Sequence, residues 1–178
     1  MKAVIEVCKK MGAECQVTAE GLYVQTPEKL NAPFSLTTAP YPGFPTDLQS
    51  IALVALIKSE GYCLIEETIF ENRFRVVEPL VDMGADIIVL DDKSVVVRGI
   101  TRLYGRTVEA KELRGGAALV IGGLVAEGET IIDNAAIPNT IYVIFCSINS
   151  IRFILILRRI LYSLFFLCQC IKKICYSL

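Results

Sequence analysis

Pro40-Tyr41-Pro42-Gly43-Phe44-Pro45-Thr46-Asp47-Leu48-Gln49 is the stretch on which the reading of this 178-residue chain turns. Three prolines and a glycine impose an irregular, stiff loop. Thr46 and Asp47 are then expected to open a long apolar helix running to Glu60. A carboxylate placed there sits at the positive end of a helix dipole, beside backbone N–H groups suited to anions. Rigid loops that aim one charged group are common seats of binding and catalysis. The plainer alternative is that Thr46 or Asp47 only caps the helix.

The pattern around this stretch occurs twice. The helix Asp47–Glu60 ends in Glu60-Gly61 and leads to a strand, Tyr62–Glu66; a second apolar helix, Arg114–Glu127, ends in Glu127-Gly128 and leads to the strand Glu129–Ile132. The offset of 67 carries Asp47 onto Arg114, so an acid and a base occupy the same place in two repeats. Another duplication has an offset of 72. Met11-Gly12-Ala13 and Met83-Gly84-Ala85 each close an amphipathic helix and precede a hairpin, Cys15–Thr18 with Gly21–Thr26 and Asp86–Leu90 with Ser94–Arg98. Both helices of the first pair are apolar nearly all round, which marks them as buried. Gly115, Gly116, Gly122 and Gly123 weaken the second by ~1 kcal/mol each against alanine, so close approach of another group is expected there. These elements predict repeated α/β layers with helices inside and sheets outside. The first helix begins at the chain start with no strand before it, the expected look of a chain that starts part-way through a domain.

Composition narrows the chemistry. The chain has no histidine, which excludes histidine bases, serine triads and histidine metal sites. Its seven cysteines lack zinc spacing and fit free thiols in a reducing compartment. Residues 1–134 hold 13 Lys and Arg against 19 Asp and Glu, a balance that argues against nucleic acid. Residues 135–178 hold five basic residues, no acid, no glycine and ten isoleucines. That region reads either as a C-terminal membrane anchor flanked by positive charge or as an apolar, basic stretch foreign to the parent fold, such as out-of-frame translation.

Four segments, in order, carry a resemblance: Thr38–Asp47 (Thr-Ala-Pro-Tyr-Pro-Gly-Phe-Pro-Thr-Asp), Glu67–Phe74 (Glu-Thr-Ile-Phe-Glu-Asn-Arg-Phe), Leu113–Leu119 (Leu-Arg-Gly-Gly-Ala-Ala-Leu) and Gly123–Gly128. Over residues 1–134 the chain resembles the UDP-N-acetylglucosamine 1-carboxyvinyltransferases. A related class, the shikimate-pathway enolpyruvyl transferases, shares their fold, but the Phe-Pro-Thr-Asp and Glu-Thr-Ile-Phe-Glu-Asn-Arg-Phe runs fit the cell-wall enzyme better. The resemblance implies an α+β fold of repeated βαβαββ units, an alpha-beta prism or inside-out barrel, here incomplete: about two units in a partial domain over 1–134, then the tail 135–178.

It also implies a reaction: transfer of the enolpyruvyl group of phosphoenolpyruvate to the 3′-hydroxyl of UDP-N-acetylglucosamine, in cytoplasmic peptidoglycan precursor synthesis, without metal or organic cofactor. On the matching positions, Asp47 is the base facing that hydroxyl, and Arg73 and Arg114 are the arginines near the phosphate and carboxylate of phosphoenolpyruvate. Ile69 and Phe70 contact the sugar nucleotide. The bland alternatives are a strand-end core residue for Ile69 and solvated surface arginines for the other two. The family's catalytic cysteine, a lysine–asparagine pair and further arginines lie in an N-terminal half with no counterpart here. Gly115-Gly116 stands where the family commonly has alanine and serine. The fragment is therefore expected to be inactive alone; a sugar-nucleotide-binding remnant and a membrane-tethered interaction protein are the other two readings.

Overall fold

The computed structural model describes residues 2–133 and the backbone of residues 142–146. Its centre is one complete βαβαββ series. Strand β3 (Ser35–Thr37) leads through a 3-10 turn, Thr46–Leu48, into helix α2 (Gln49–Ile57) and strand β4 (Tyr62–Glu66). A second 3-10 turn, Arg73–Val76, leads into α3 (Val77–Asp82), β5 (Asp86–Asp91) and β6 (Ser94–Arg98). These four strands form one sheet in the order β3-β4-β6-β5, with β3 parallel to β4 and the other pairs antiparallel. Before this unit come α1 (Lys2–Lys10) and the hairpin of β1 (Glu14–Thr18) and β2 (Gly21–Gln25), which repeat its second half. After it come β7 (Thr107–Glu109), α4 (Leu113–Leu124) and β8 (Gly128–Asp133), which repeat its first half.

Two short strands, β3 and β7, have no expectation from sequence. Each is three residues long, too short to show an alternating pattern, and each is held only by parallel pairing with the strand after the helix. The expected helix Asp47–Glu60 is shorter at both ends. It begins as a 3-10 turn and stops at Ile57, because the Lys58 and Ser59 N–H groups turn back onto Ala55 and Leu56 and Glu60 bridges to Asn31. Neither Thr46 nor Asp47 makes a side-chain cap there. The second helix likewise spans Leu113–Leu124 rather than Arg114–Glu127.

The core lies between the helices and the sheet. Leu53, Val54, Leu56 and Ile57 of α2 are buried, as are Ala118 and Leu119 of α4, and the two helices pack side by side. Cys63 and Ile65 of β4, Val95 and Val97 of β6, and Leu80 and Met83 around α3 complete it. Each large aliphatic side chain withdrawn in this way contributes about 1.5–3 kcal/mol. The glycines of α4 face this packing: a methyl at Gly115 would meet Val76 and the Glu112 stem, and one at Gly122 would meet Leu80. For Gly115 and Gly122 the expected close approach is thus made largely by the segment 73–83. Helices lie inside and sheets outside, but the three sheets remain separate and close no barrel among the described residues.

The region 135–178 lies outside the described residues apart from the backbone of β9 (Tyr142–Cys146). Its strand pairs antiparallel with β8, Ile132 opposite Tyr142, just as Ile65 of β4 lies opposite Val95 of β6. Neither reading of the rest of that region, anchor or foreign stretch, falls on described residues.

Candidate active site

The side-by-side packing of α2 and α4 brings their first turns together. Pro45 holds an extended backbone (φ −71°, ψ 132°) and delivers Asp47 into the turn that precedes α2. Glu112, also extended (φ −157°, ψ 161°), delivers Arg114 into the first turn of α4. The Arg114 Nε–H donates to Asp47 Oδ1 at 2.5 Å. The residues that the 67-residue offset equates are thus direct partners. Both side chains reach water, 39% exposed for Arg114 and 68% for Asp47. A pair so exposed adds only ~0–1 kcal/mol to stability. It is also locally unbalanced: the helix N-termini are positive, which suits Asp47 and disfavours Arg114.

Arg73 occupies a different setting. Asn72 takes a left-handed backbone (φ 57°, ψ 32°), which asparagine tolerates, and so turns the chain into the segment that packs on α4. Arg73 is only 7% exposed, its guanidinium lies 4.6 Å from the centroid of the Phe70 ring, and its Nη1 has no hydrogen-bond partner among the described residues. A buried guanidinium donor without an acceptor is costly, and an anion would relieve it. Ile69 is half-buried and Phe70 exposed in the loop before Arg73. Among the described residues no hydrogen bond or ion pair joins Arg73 to Asp47 or Arg114.

Two residues received no role from the sequence. Glu112 ends in an Oε1 atom that is shielded from water and unpartnered among the described residues. Glu67 is buried, 1% exposed, yet ionised in character. Its Oε2 accepts the Thr46 hydroxyl at 2.7 Å, and its Oε1 accepts the backbone N–H of Ile69 at 2.9 Å and of Phe70 at 3.1 Å. Burial alone would raise its pKa, but the hydrogen bonds from Thr46, Ile69, Phe70 and Thr38 outweigh that and hold it below the ordinary carboxylate value. Glu67 stands inside the Glu67–Phe74 motif; the signal was the conjunction of a polar residue at a strand end with Thr46 across the chain, which pairing alone reveals.

Other chemistry is limited. Cys63 is fully buried in the sheet, and burial pushes its thiol up to about 11, so it stays protonated and unreactive. Among the described residues no cluster of three or more His, Cys, Asp or Glu could hold a metal ion, and no helix is long and apolar enough to cross a membrane.

Comparison with known proteins bears on the family and the fold. The model of the family described as EPSP synthase (3-phosphoshikimate 1-carboxyvinyltransferase) matches residues 1–147. The UDP-N-acetylglucosamine 1-carboxyvinyltransferase of Xanthobacter autotrophicus is 46% identical over 133 residues, covering 75% of this chain and 31% of that protein. The one from Halothermothrix orenii is 46% identical over 134 residues, covering 75% and 32%. Among solved structures, the enolpyruvyl transferase NikO from Streptomyces tendae aligns with a TM-score of 0.69 at 26% identity, over 76% of this chain and 31% of that one. EPSP synthase from Acinetobacter baumannii aligns in fold with a TM-score of 0.59 at 19% identity, over 74% and 32%. The fold is the alpha-beta prism of those structures, α+β in class. The chain spans about a third of the length of the curated relatives it matches.

Proposed function

This chain belongs to the EPSP synthase family, and on that premise we propose that residues 1–134 form part of an enolpyruvyl transferase acting on UDP-N-acetylglucosamine and phosphoenolpyruvate. Asp47 accepts the proton of the sugar 3′-hydroxyl as its oxygen bonds to the enolpyruvyl carbon. In that addition the methylene carbon gains a proton, and it gives one up again as the bond from the enolpyruvyl carbon to the phosphate oxygen breaks and inorganic phosphate leaves. Arg114 and Arg73 hold the phosphate and carboxylate, whose charges match guanidinium forks. Ile69 and Phe70 border the sugar nucleotide. The work belongs to peptidoglycan precursor synthesis in the cytoplasm, and the names of the relatives favour the UDP sugar over a shikimate acceptor.

The observation that carries this reading is the contact between Asp47 and Arg114, a base and an anion holder at 2.5 Å on two adjoining helix starts. When an enol phosphate takes the guanidinium, the carboxylate is released to face the hydroxyl. A carboxylate within about 3 Å of a hydroxyl can take its proton as attack proceeds. The Nη1 of Arg73, buried and unpartnered among the described residues, supports a second anion contact.

The acid that protonates the enol carbon belongs, by resemblance, to the family's N-terminal half, so the chain is expected to bind ligand without turning it over. Calorimetry with UDP-N-acetylglucosamine should show weak binding that Asp47→Ala lowers at least tenfold, the loss of one hydrogen bond to a charged group. Absence of heat at millimolar ligand, or equal binding by the variant, overturns the assignment. Phosphate release from the two substrates by the purified chain would overturn the expectation of inactivity.

A further inference from the structure

We propose that Glu67 is a positioning residue, one carboxylate that sets the Pro40–Asp47 loop and the Ile69–Arg73 loop at a fixed separation; its part in ligand binding rests on the function proposed above. The two oxygens divide the task. Oε2 holds the hydroxyl of Thr46, whose neighbour is Asp47, and Oε1 holds the amides of Ile69 and Phe70, whose ring carries the Arg73 guanidinium. One rigid group therefore ties the residue before the acid to the residue beneath the arginine.

A loop clamp made for stability alone does not need a charge. Glu67 is 1% exposed and, among the described residues, makes no ion pair with Lys or Arg; its donors are hydroxyls and backbone amides. Burying a carboxylate is costly, and here its hydrogen bonds outweigh that cost. What the carboxylate adds is geometry: it accepts only, at several directions at once, so every donor must point toward it. Around it, the Thr68 N–H and hydroxyl bond to the Thr38 hydroxyl oxygen (3.0 Å) and carbonyl (2.6 Å), and the Glu67 N–H bonds to the Lys93 carbonyl (2.8 Å). Those bonds fix the Glu67 backbone in the sheet, so the carboxylate is a post and the two loops are hung on it.

The test uses the whole 178-residue chain and two readings. The first is residue-resolved amide hydrogen exchange. In Glu67→Gln the Ile69 and Phe70 amides should exchange about tenfold faster, while amides of β5 and β6 change less than about twofold. No selective acceleration, or equal acceleration across the chain, overturns the proposal. The second is titration with UDP-N-acetylglucosamine. Glu67→Gln and Thr46→Val should each weaken binding about tenfold, and Thr46→Ser, which keeps the hydroxyl, should bind within about twofold of the parent. Unchanged binding by Glu67→Gln and Thr46→Val overturns the positioning role. If the parent chain binds no sugar nucleotide, the proposed function falls and amide exchange alone decides the place of Glu67. Should Glu67→Gln fail to fold, Thr46→Val is read in both assays: it cuts the Oε2 arm, so it should speed exchange of the same two amides and Thr46→Ser should restore it, and failure of either overturns the proposal.

Discussion

The segments β3–α2–β4 and β7–α4–β8 share a backbone and differ in chemistry. The common parts are main-chain devices. The N–H of Glu60 bonds to the Leu30 carbonyl and that of Glu127 to the Leu103 carbonyl; the Glu60 and Glu127 carbonyls accept from Ala32 and Gly105. Thr38 N–H reaches the Glu66 carbonyl as Ala110 N–H reaches that of Asp133. Even the surface pairs recur, Lys29 with Glu60 and Arg102 with Glu127. The first turns of the helices instead oppose an acid to a base, and α2 with the turn that leads into it carries Leu48, Gln49 and Leu56 where α4 carries Gly115, Gly116 and Gly123. Corners built from backbone hydrogen bonds preserve topology while leaving the water-facing first turn free to acquire either charge.

The sharpest way to break that likeness is at the corners themselves. A methyl on Gly99 would lie 1.6 Å from the Ser59 carbonyl oxygen, and one on Gly105 would lie 2.1 Å from that of Glu129. Backbone cannot yield as a side-chain tip does, so Gly99→Ala and Gly105→Ala should each cost about 3 kcal/mol or more. Denaturant titration checks this. A mild Gly105→Ala beside a severe Gly99→Ala would mean that the later segment is the looser of the two.

Glu67 gives the next largest effect and distinguishes the complete unit. Glu67→Gln leaves the donors of Thr46, Ile69 and Phe70 facing an amide, a cost of about 1–3 kcal/mol at neutral pH. Its pKa is lowered in the folded chain, so the native state prefers the ionised form. The stabilisation is therefore whole above the unfolded carboxyl value, about 4.3, and is lost as pH falls through the lower folded value. Stability of the parent measured by denaturant should decline below about pH 4.3, and less steeply in Glu67→Gln. Identical slopes would remove Glu67 from the acid response, leaving it to exposed groups such as Glu78, also lowered by its bond to Lys111.

How much of this was legible in sequence depends on the range over which each element is specified. The strand Tyr62–Glu66 and the strand Ser94–Arg98 carry their own alternation and match the observed limits. The helix closures after Met11 and Met83 announce themselves through Gly12 and Gly84, both at positive φ (95° and 104°). Strands β3 and β7 carry no local signal, since pairing with β4 and β8 alone makes them strands. The equivalence of Asp47 and Arg114 was readable from the offset, and their contact required α2 and α4 to adjoin. Thr46 looks like a helix cap because its hydroxyl oxygen could accept from a local backbone N–H; in the fold the hydroxyl instead donates to the distant carboxylate of Glu67, and no cap bond forms. Glu67, Glu112 and the buried state of Arg73 were beyond the sequence for the same reason: each is defined by neighbours far along the chain.

A charge exchange tests whether the two first turns differ only in the sign they bear. Asp47→Arg combined with Arg114→Asp keeps an opposite pair at the same place, so the double variant should unfold within about 1 kcal/mol of the parent, the range of an exposed pair. Each single variant sets two like charges together and should be the less stable. Sugar-nucleotide binding should not follow stability: the double variant should remain at least tenfold weaker, because the base then sits on the wrong helix. Recovery of binding in the double variant would show that the pair matters only as a pair.

The smallest effect asks whether the glycines of α4 are demanded by packing or only permitted by it. Gly122 lies in the helix interior with ordinary helical backbone, so alanine there gains about 1 kcal/mol of helix propensity. Against this, the added methyl meets Leu80 Cδ2 at 3.3 Å, with Leu103 and Met83 tips both at 3.9 Å. All three are ends of flexible side chains, and Leu80 need move only a few tenths of an ångström. Gly122→Ala should therefore be neutral to stabilising by about 0.5 kcal/mol, read as a rise of a few degrees in Tm. The corresponding residue of α2 is Ala55, which already has that methyl. A loss of more than about 1 kcal/mol in Gly122→Ala would mean that α3 sits closer on α4 than the corresponding surface sits on α2, and that the two helices share a topology without sharing a packing distance.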